Sequence, residues 1–215
     1  MNLFKKLKLK REKQKIVNTF HNIMVNKIWK DDHSVSGGGS NLEQTKVIID
    51  EIKIVVKEFK IEKFIDIPCG DFYWFKHVDL QGAEYLGGDL LKELIDQNKK
   101  YENEKRKFVT IDLINDPLPE GDVILIRDCF VHLSFELIEK VIANLKKSSI
   151  KYVLTTTFPK HENTDIETGG WRPINLEKHP FNWGTPLKLI NENCTEQNGI
   201  YADKSLALYE ISELK

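Results

Sequence analysis

The spacing of apolar positions changes along the chain, and each spacing predicts a different element. Residues 1–15, MNLFKKLKLKREKQK, alternate Lys with Leu and Phe, and Ile16, Phe20, Ile23 and Ile28 continue at loosely helical spacing. One amphipathic helix or two is expected there. Val47, Ile48, Ile52, Val55, Val56 and Phe59 fall on one face of a second helix ending near Lys60, with Ser40 and Glu43 as its capping box. Between the two helices runs Ser36-Gly37-Gly38-Gly39-Ser40, a flexible linker on composition alone. At a helix N-terminus, however, such glycines also stand where backbone N–H groups attract carboxylate or phosphate.

From Lys63 onward short apolar runs take over. Residues 64–67, 85–88, 107–110, 123–126 and 152–156 read as buried strands. Leu91, Leu94 and Ile95 mark one intervening helix; Leu137, Ile138, Val141, Ile142 and Leu145, opened by Ser134 as a cap, mark another. Residues 187–194 and 205–212 read as two more strands with no helical pattern between them. The expectation is an α/β fold: a doubly wound, mostly parallel seven-stranded sheet covered on both faces and closed by an antiparallel C-terminal pair.

A length of 215 residues with 40% apolar side chains suits one well-packed domain. Charge is uneven although the total is only -1. Residues 1–30 hold nine Lys and Arg against one acid, Glu12, for a net +8, which leaves the remainder at -9. We therefore divide the chain into a basic helical N-terminal extension, 1–35, and a domain, 36–215. The extension reads as a solvated basic helix packed on the body, because its apolar stripe is broken; attachment to an anionic membrane surface or to a protein is the other reading. A body at -9 disfavours nucleic acid as a partner. No apolar run is long enough for a membrane span or a secretory signal, and Cys69, Cys129 and Cys194 form neither C-x-x-C pairs nor metal-ligand spacings. A cytoplasmic protein without a metal site, peripheral at most to the inner membrane surface, is expected.

Ligands of an open parallel sheet bind beyond the carboxyl ends of its strands. Each of the first four predicted strands leads to an acid: Asp66 in Asp66-Ile67-Pro68-Cys69-Gly70-Asp71, Asp89 after Gly87-Gly88, Asp112, and Asp128 after Arg127. Asp89 follows Asp66 by 23 residues, near the interval that sets a ribose-binding acid after a nucleotide turn. Yet the turn has one glycine, Gly70, and two flanking aspartates, which suit a pyrophosphate poorly. A ligand with a ribose, an ammonium and no phosphate fits better, as does S-adenosylmethionine with its added sulfonium. Each acid, taken alone, also reads as a helix cap.

These segments, with Arg127-Asp128-Cys129-Phe130-Val131-His132-Leu133-Ser134, resemble class I S-adenosylmethionine-dependent methyltransferases, whose sheet is Rossmann-like. More narrowly, the chain from about Ser36 onward looks like a bacterial subgroup with a D-x-P-C-G-D turn, often found beside surface-glycan genes. The resemblance implies that Gly70 lies under the methionine part, Asp89 grips the ribose hydroxyls and Asp112 meets the adenine amino group. Pro68 stands where the family more commonly has glycine. The expected cofactor set is Gly38, Ser40, Asp66, Cys69, Gly70, Asp71, Asp89, Leu90, Asp112, Arg127 and Asp128, with S-adenosylhomocysteine as the product.

Methyl transfer to an alcohol needs a base. His132, just past the fourth strand, is the candidate, with Asp128 to orient it; a buried histidine bonded to backbone is the plain alternative. Residues 158–183 form a long polar and aromatic insertion read as an acceptor lid. Trp171 and Trp183 offer faces for a sugar, Arg172 a cation for phosphate or carboxylate, and Trp74 and Asn163 complete the acceptor set; large aromatics also commonly fill a lid's own core. The expected activity is methyl transfer to a small acceptor, an oxygen of a sugar, glycan or activated precursor. A non-catalytic nucleoside-binding module in a glycan-synthesis complex and a nicotinamide-dependent reductase are the alternatives.

Overall fold

The computed structural model describes residues 3–215, with side chains from Leu7; Met1 and Asn2, the start of the basic extension, lie outside the described residues. Its helices are α1 (Leu3–Val25), α2 (Leu42–Glu58), α3 (Lys92–Asn98) and α4 (Phe135–Leu145), and its strands β1 (Lys63–Asp66), β2 (Glu84–Asp89), β3 (Arg106–Thr110), β4 (Val123–Ile126), β5 (Tyr152–Thr157), β6 (Lys188–Asn191) and β7 (Ser205–Glu210). One seven-stranded sheet runs in the order β3-β2-β1-β4-β5-β7-β6. The first five strands are parallel, and β7 enters antiparallel between β5 and β6.

Continuous apolar runs became central strands because both of their faces are covered. Along β4, Val123 and Leu125 face a layer built on Ile48, Ile52, Val55 and Val56 of α2, while Ile124 and Ile126 face Ile138, Val141 and Leu145 of α4. Phe20 of α1 packs against the α4 layer, and Ile23 is buried. Among the described residues no helix is long and apolar enough to cross a membrane.

Three local expectations are corrected. The α2 cap is Asn41, whose side chain accepts from Gln44 N at 2.9 Å, because Ser40 is used in a 3₁₀ turn, Gly38–Ser40. Ser134 stands at the start of α4, but its side chain makes no capping bond; Asp165 accepts from Phe135 N instead at 2.8 Å. Helices also fail to follow every strand. Residues 111–122 and 158–187 cross without one, and prolines at 117, 119, 159, 173, 180 and 186 account for much of that. Side chains replace the missing helical bonds: Asn144 donates to the carbonyls of Leu113 and Asp116, and Asn175 to those of Pro159 and His161.

Candidate active site

The sheet reverses its winding between β1 and β4, and a cleft opens there beyond the strand ends. It encloses about 1200 Å³, open solvent at its mouth included, and five aspartates line it: Asp66, Asp71, Asp89, Asp112 and Asp128. Cys69, Gly70, Leu90, Trp74, Arg127, His132 and Ser40 line it too. Gly38 does not; it faces a second cavity.

Asp66 is buried, accepts from the Tyr85 hydroxyl at 2.8 Å, and is pushed up to about 8 by loss of solvent. Asp89 is buried as well and rises to about 6 for the same reason, held back by its backbone donors. One of its oxygens accepts from Leu91 N at 2.9 Å and the other from Gly70 N at 3.1 Å. It therefore ties the β1 turn to the β2 end, and each oxygen keeps a lone pair for a ligand. Asp71 is spent differently: it receives Ser34 Oγ, Val35 N and Tyr73 N, which pins residues 34–36 over the turn. Gly70, at φ +54, permits this approach, since a Cβ there would lie 2.2 Å from Ser36 Oγ. Asp112 accepts from Ile114 N and Asn115 Nδ2, with Lys13 of α1 at 3.5 Å.

The glycine segment folds into a 3₁₀ turn: Gly37 N donates to Ser34 O, Ser40 N to Gly37 O and Asn41 N to Gly38 O. Its carbonyls are used as well, for Arg127 donates to Gly39 O at 2.7 Å. Arg127 also pairs with Glu192 at 2.6 Å and Asp128 at 3.2 Å, and Lys204 pairs with Asp128 at 2.7 Å and Glu192 at 3.7 Å. Burial alone would raise Asp128, but Lys204 and Arg127 hold it down to about 2.

That network removes Asp128 from its expected task of orienting His132, because its carboxylate is turned to the two cations. His132 Nδ1 lies 2.7 Å from the Gly170 carbonyl. A carbonyl only accepts, so Nδ1 carries the proton and Nε2 the lone pair. Burial lowers the imidazole from its ordinary value, which keeps it neutral at pH 7. The Trp29 indole stacks on it, with centroids 4.4 Å apart.

A second cavity, about 610 Å³ including open solvent, adjoins the cleft. Trp29, Ser36, Asp128 and His132 line both. Its other walls are Gly37, Gly38, Gly39, Phe158, Trp171, Cys194, Glu196, Tyr201 and Lys204. Trp171 is 43% exposed, so its face is available there.

The remaining acceptor residues lie elsewhere. Arg172 is buried and donates to the carbonyls of Thr164, Phe130 and Leu133, which locks the insertion to the turn before α4. Its guanidinium has no face left for a phosphate. Asn163 holds the carbonyls of Asn175 and His179. Trp183 is buried edge-on against Phe130 and Tyr209, in the α4 layer of the core.

Sequence reading missed two groups. Ile16, Phe20, Met24 and Trp29 of the basic extension form a wall of the cleft; the helical spacing of Ile16 and Phe20 was visible, but not what they cover, and Trp29 lies beyond the helix. Glu192, Glu196, Tyr201 and Lys204 all lie in the connection between β6 and β7, with no local motif to mark them.

No protein-family model matches the chain, and no curated protein matches it in sequence. Solved structures do match. Human N-acetylserotonin methyltransferase in complex with SAM aligns at TM-score 0.55 and 12% identity, over 77% of this chain and 52% of that one. The methyltransferase domain of bacterial CtHen1-CN aligns at 0.56 and 13%, over 79% and 100%. The pyocyanin biosynthetic protein PhzM aligns at 0.56 and 13%, over 77% and 55%. The chain thus spans about half the length of two of these three neighbours, 52% and 55%, and the whole of the other. Strand order, the antiparallel β7 and these likenesses give the chain the seven-stranded, Rossmann-like methyltransferase fold.

Proposed function

We propose that the protein transfers a methyl group from S-adenosylmethionine to an oxygen of a small acceptor, a sugar, glycan or activated glycan precursor. The observation that carries this reading is the single histidine shared by two adjoining cavities, one lined by aspartates and one by aromatics. The first suits the cofactor. Asp89 has lone pairs for a ribose diol, Asp112 lies at the adenine end by resemblance, and Asp66, buried and uncompensated, gains from an ammonium nearby. A net charge of -9 over residues 31–215 also repels a polyanion, which supports a small acceptor rather than nucleic acid.

When bound, the cofactor supplies an activated methyl on a sulfonium and departs as a neutral thioether, so no acid is needed. The chain's part is alignment and proton removal. His132 Nε2, kept basic by the Gly170 bond, takes the hydroxyl proton; Trp29 holds the ring in place. Trp171 and Tyr201 offer faces for the acceptor.

The test is mass spectrometry of small-molecule and glycan extracts incubated with the protein and isotopically labelled cofactor. Label in a hydroxylated acceptor is expected. Cofactor binding with no turnover on any extract would favour a non-catalytic module. Calorimetry should also show Asp89→Ala weakening S-adenosylmethionine by about 1–3 kcal/mol; unchanged affinity in a folded variant removes Asp89 from the site.

A further inference from the structure

The charges around the second cavity are unequal in a way that selects an acceptor. Its cation, Lys204, already spends its ammonium on Asp128 at 2.7 Å and Glu192 at 3.7 Å. Arg127, behind it, is divided between Glu192, Asp128 and Gly39 O. His132 is neutral, because burial lowers it. Arg172, the cation expected to meet an anionic acceptor, is enclosed in the insertion. Glu196 is the exception: it lines the cavity, and among the described residues no Lys, Arg or His lies within ion-pair distance of it. Its hydrogen-bond partner is the Cys194 thiol at 3.8 Å, a weak donor.

Glu196 is also held in position. Gln44 of α2 donates to Thr195 Oγ1 at 2.7 Å and accepts from Thr195 N at 3.1 Å, fixing the residue before it. Beside the carboxylate stand Trp29, Phe158, Trp171 and Tyr201, with the Trp171 and Tyr201 rings 4.8 Å apart. Arg127 attracts the carboxylate from beyond ion-pair distance, but no cation among the described residues touches it. A half-buried carboxylate with no ion-pair partner of its own, among aromatic faces, is the chemistry that recognises an ammonium group.

We infer that the acceptor carries a protonated amine seated on Glu196, in addition to the hydroxyl presented to His132: an amino-bearing polyol rather than a phosphorylated or carboxylated one. The inference rests on the methyl-transfer reading only for the hydroxyl; the amine subsite stands on the cavity itself.

Ligand-observed NMR titrations of the full chain with glucosamine, methyl glucoside, glucuronate and glucose 6-phosphate, in the presence of S-adenosylhomocysteine, test it. Glucosamine should bind about tenfold tighter than methyl glucoside, and both anionic sugars weaker still. Glu196→Gln, which keeps size and hydrogen bonding, should bring glucosamine to within about twofold of methyl glucoside. Equal or tighter binding of either anion, a preference that survives Glu196→Gln, or no binding by any of the four overturns the proposal. Calorimetry with S-adenosylmethionine separates the two failures. Absent cofactor binding with an intact amine preference removes methyl transfer and leaves the subsite, whereas normal cofactor binding without the preference removes the subsite alone.

Discussion

The two cavities that meet at His132 are built by opposite means. The floor of the larger one is local: Asp66, Gly70 and Asp89 stand at strand ends or in the turn directly after, and their bonds join neighbouring parallel strands. The smaller cavity draws on residues remote in sequence, Trp29 before the glycines, His132 after β4, Trp171 in the insertion and Glu196 and Lys204 around the final strands. Their charges differ accordingly. The floor holds buried acids raised by desolvation, whereas Asp128 on the shared wall is matched by Lys204 and Arg127 and held low. The floor is strained electrostatically until a cationic ligand arrives; the wall is satisfied in advance, which leaves Glu196 and His132 free for an acceptor. On the proposed reading, cofactor binding and acceptor selection fall to different parts of the chain.

Removing His132 breaks the comparison most deeply. His132→Ala should lower the methyl-transfer rate about 10²–10⁴-fold and leave cofactor affinity almost unchanged. In the wild type the rate should fall with acid, along a limb below the ordinary histidine range because burial lowers this imidazole. Single-turnover rates across pH for both proteins decide it, and a near-normal mutant rate with an unchanged profile returns His132 to a structural role.

The strained floor predicts an unusual pH dependence of stability. Burial raises Asp66 from 3.8 to about 8, so between those values the folded protein holds a proton that the unfolded chain has released. Stability from this group is therefore full at low pH and is lost as pH rises towards 8. The loss amounts to roughly 3 kcal/mol between pH 5 and pH 7. Asp89, raised to about 6, adds a smaller share. Urea denaturation at both pH values should show this decline and find it largely abolished in Asp66→Asn; a wild type equally stable at both removes the claim.

A smaller effect sharpens the boundary of the acceptor side. Arg172→Lys loses at least one charged hydrogen bond to a buried carbonyl, and should cost about 2 kcal/mol of stability. Its effect on acceptor binding should be no greater for anionic than for neutral probes. A selective loss of anion binding, without loss of stability, would put Arg172 back among the acceptor residues.

What was legible in the sequence was whatever depends on near neighbours. The apolar runs at 64–67 and 123–126 could only be strands buried on both faces, and an acid at each strand end marks the edge where a parallel sheet binds ligands. Ser40 and Ser134 show the limit even there, since Asn41 and Asp165 took the capping roles once the glycine turn and the insertion had folded. Arg172, Asn163 and Trp183 show it more plainly. Composition marked each as suited to a ligand, but a 30-residue crossing without helix or strand has backbone carbonyls that must be satisfied inside the protein, and these side chains or their neighbours were used for that or for the core. Trp29, Glu196 and Lys204 carried no local signal at all. Their meeting around His132 depends on α1 and the β6–β7 connection closing over the sheet edge from opposite ends of the chain. Periodicity and turn chemistry act over a few residues, so the sheet, its binding edge and the acids there can be read along the chain. Which cations are already spent, which carboxylate lacks an ion pair and which ring stacks on the histidine follow from burial and pairing, and those are set by partners tens to more than a hundred residues away.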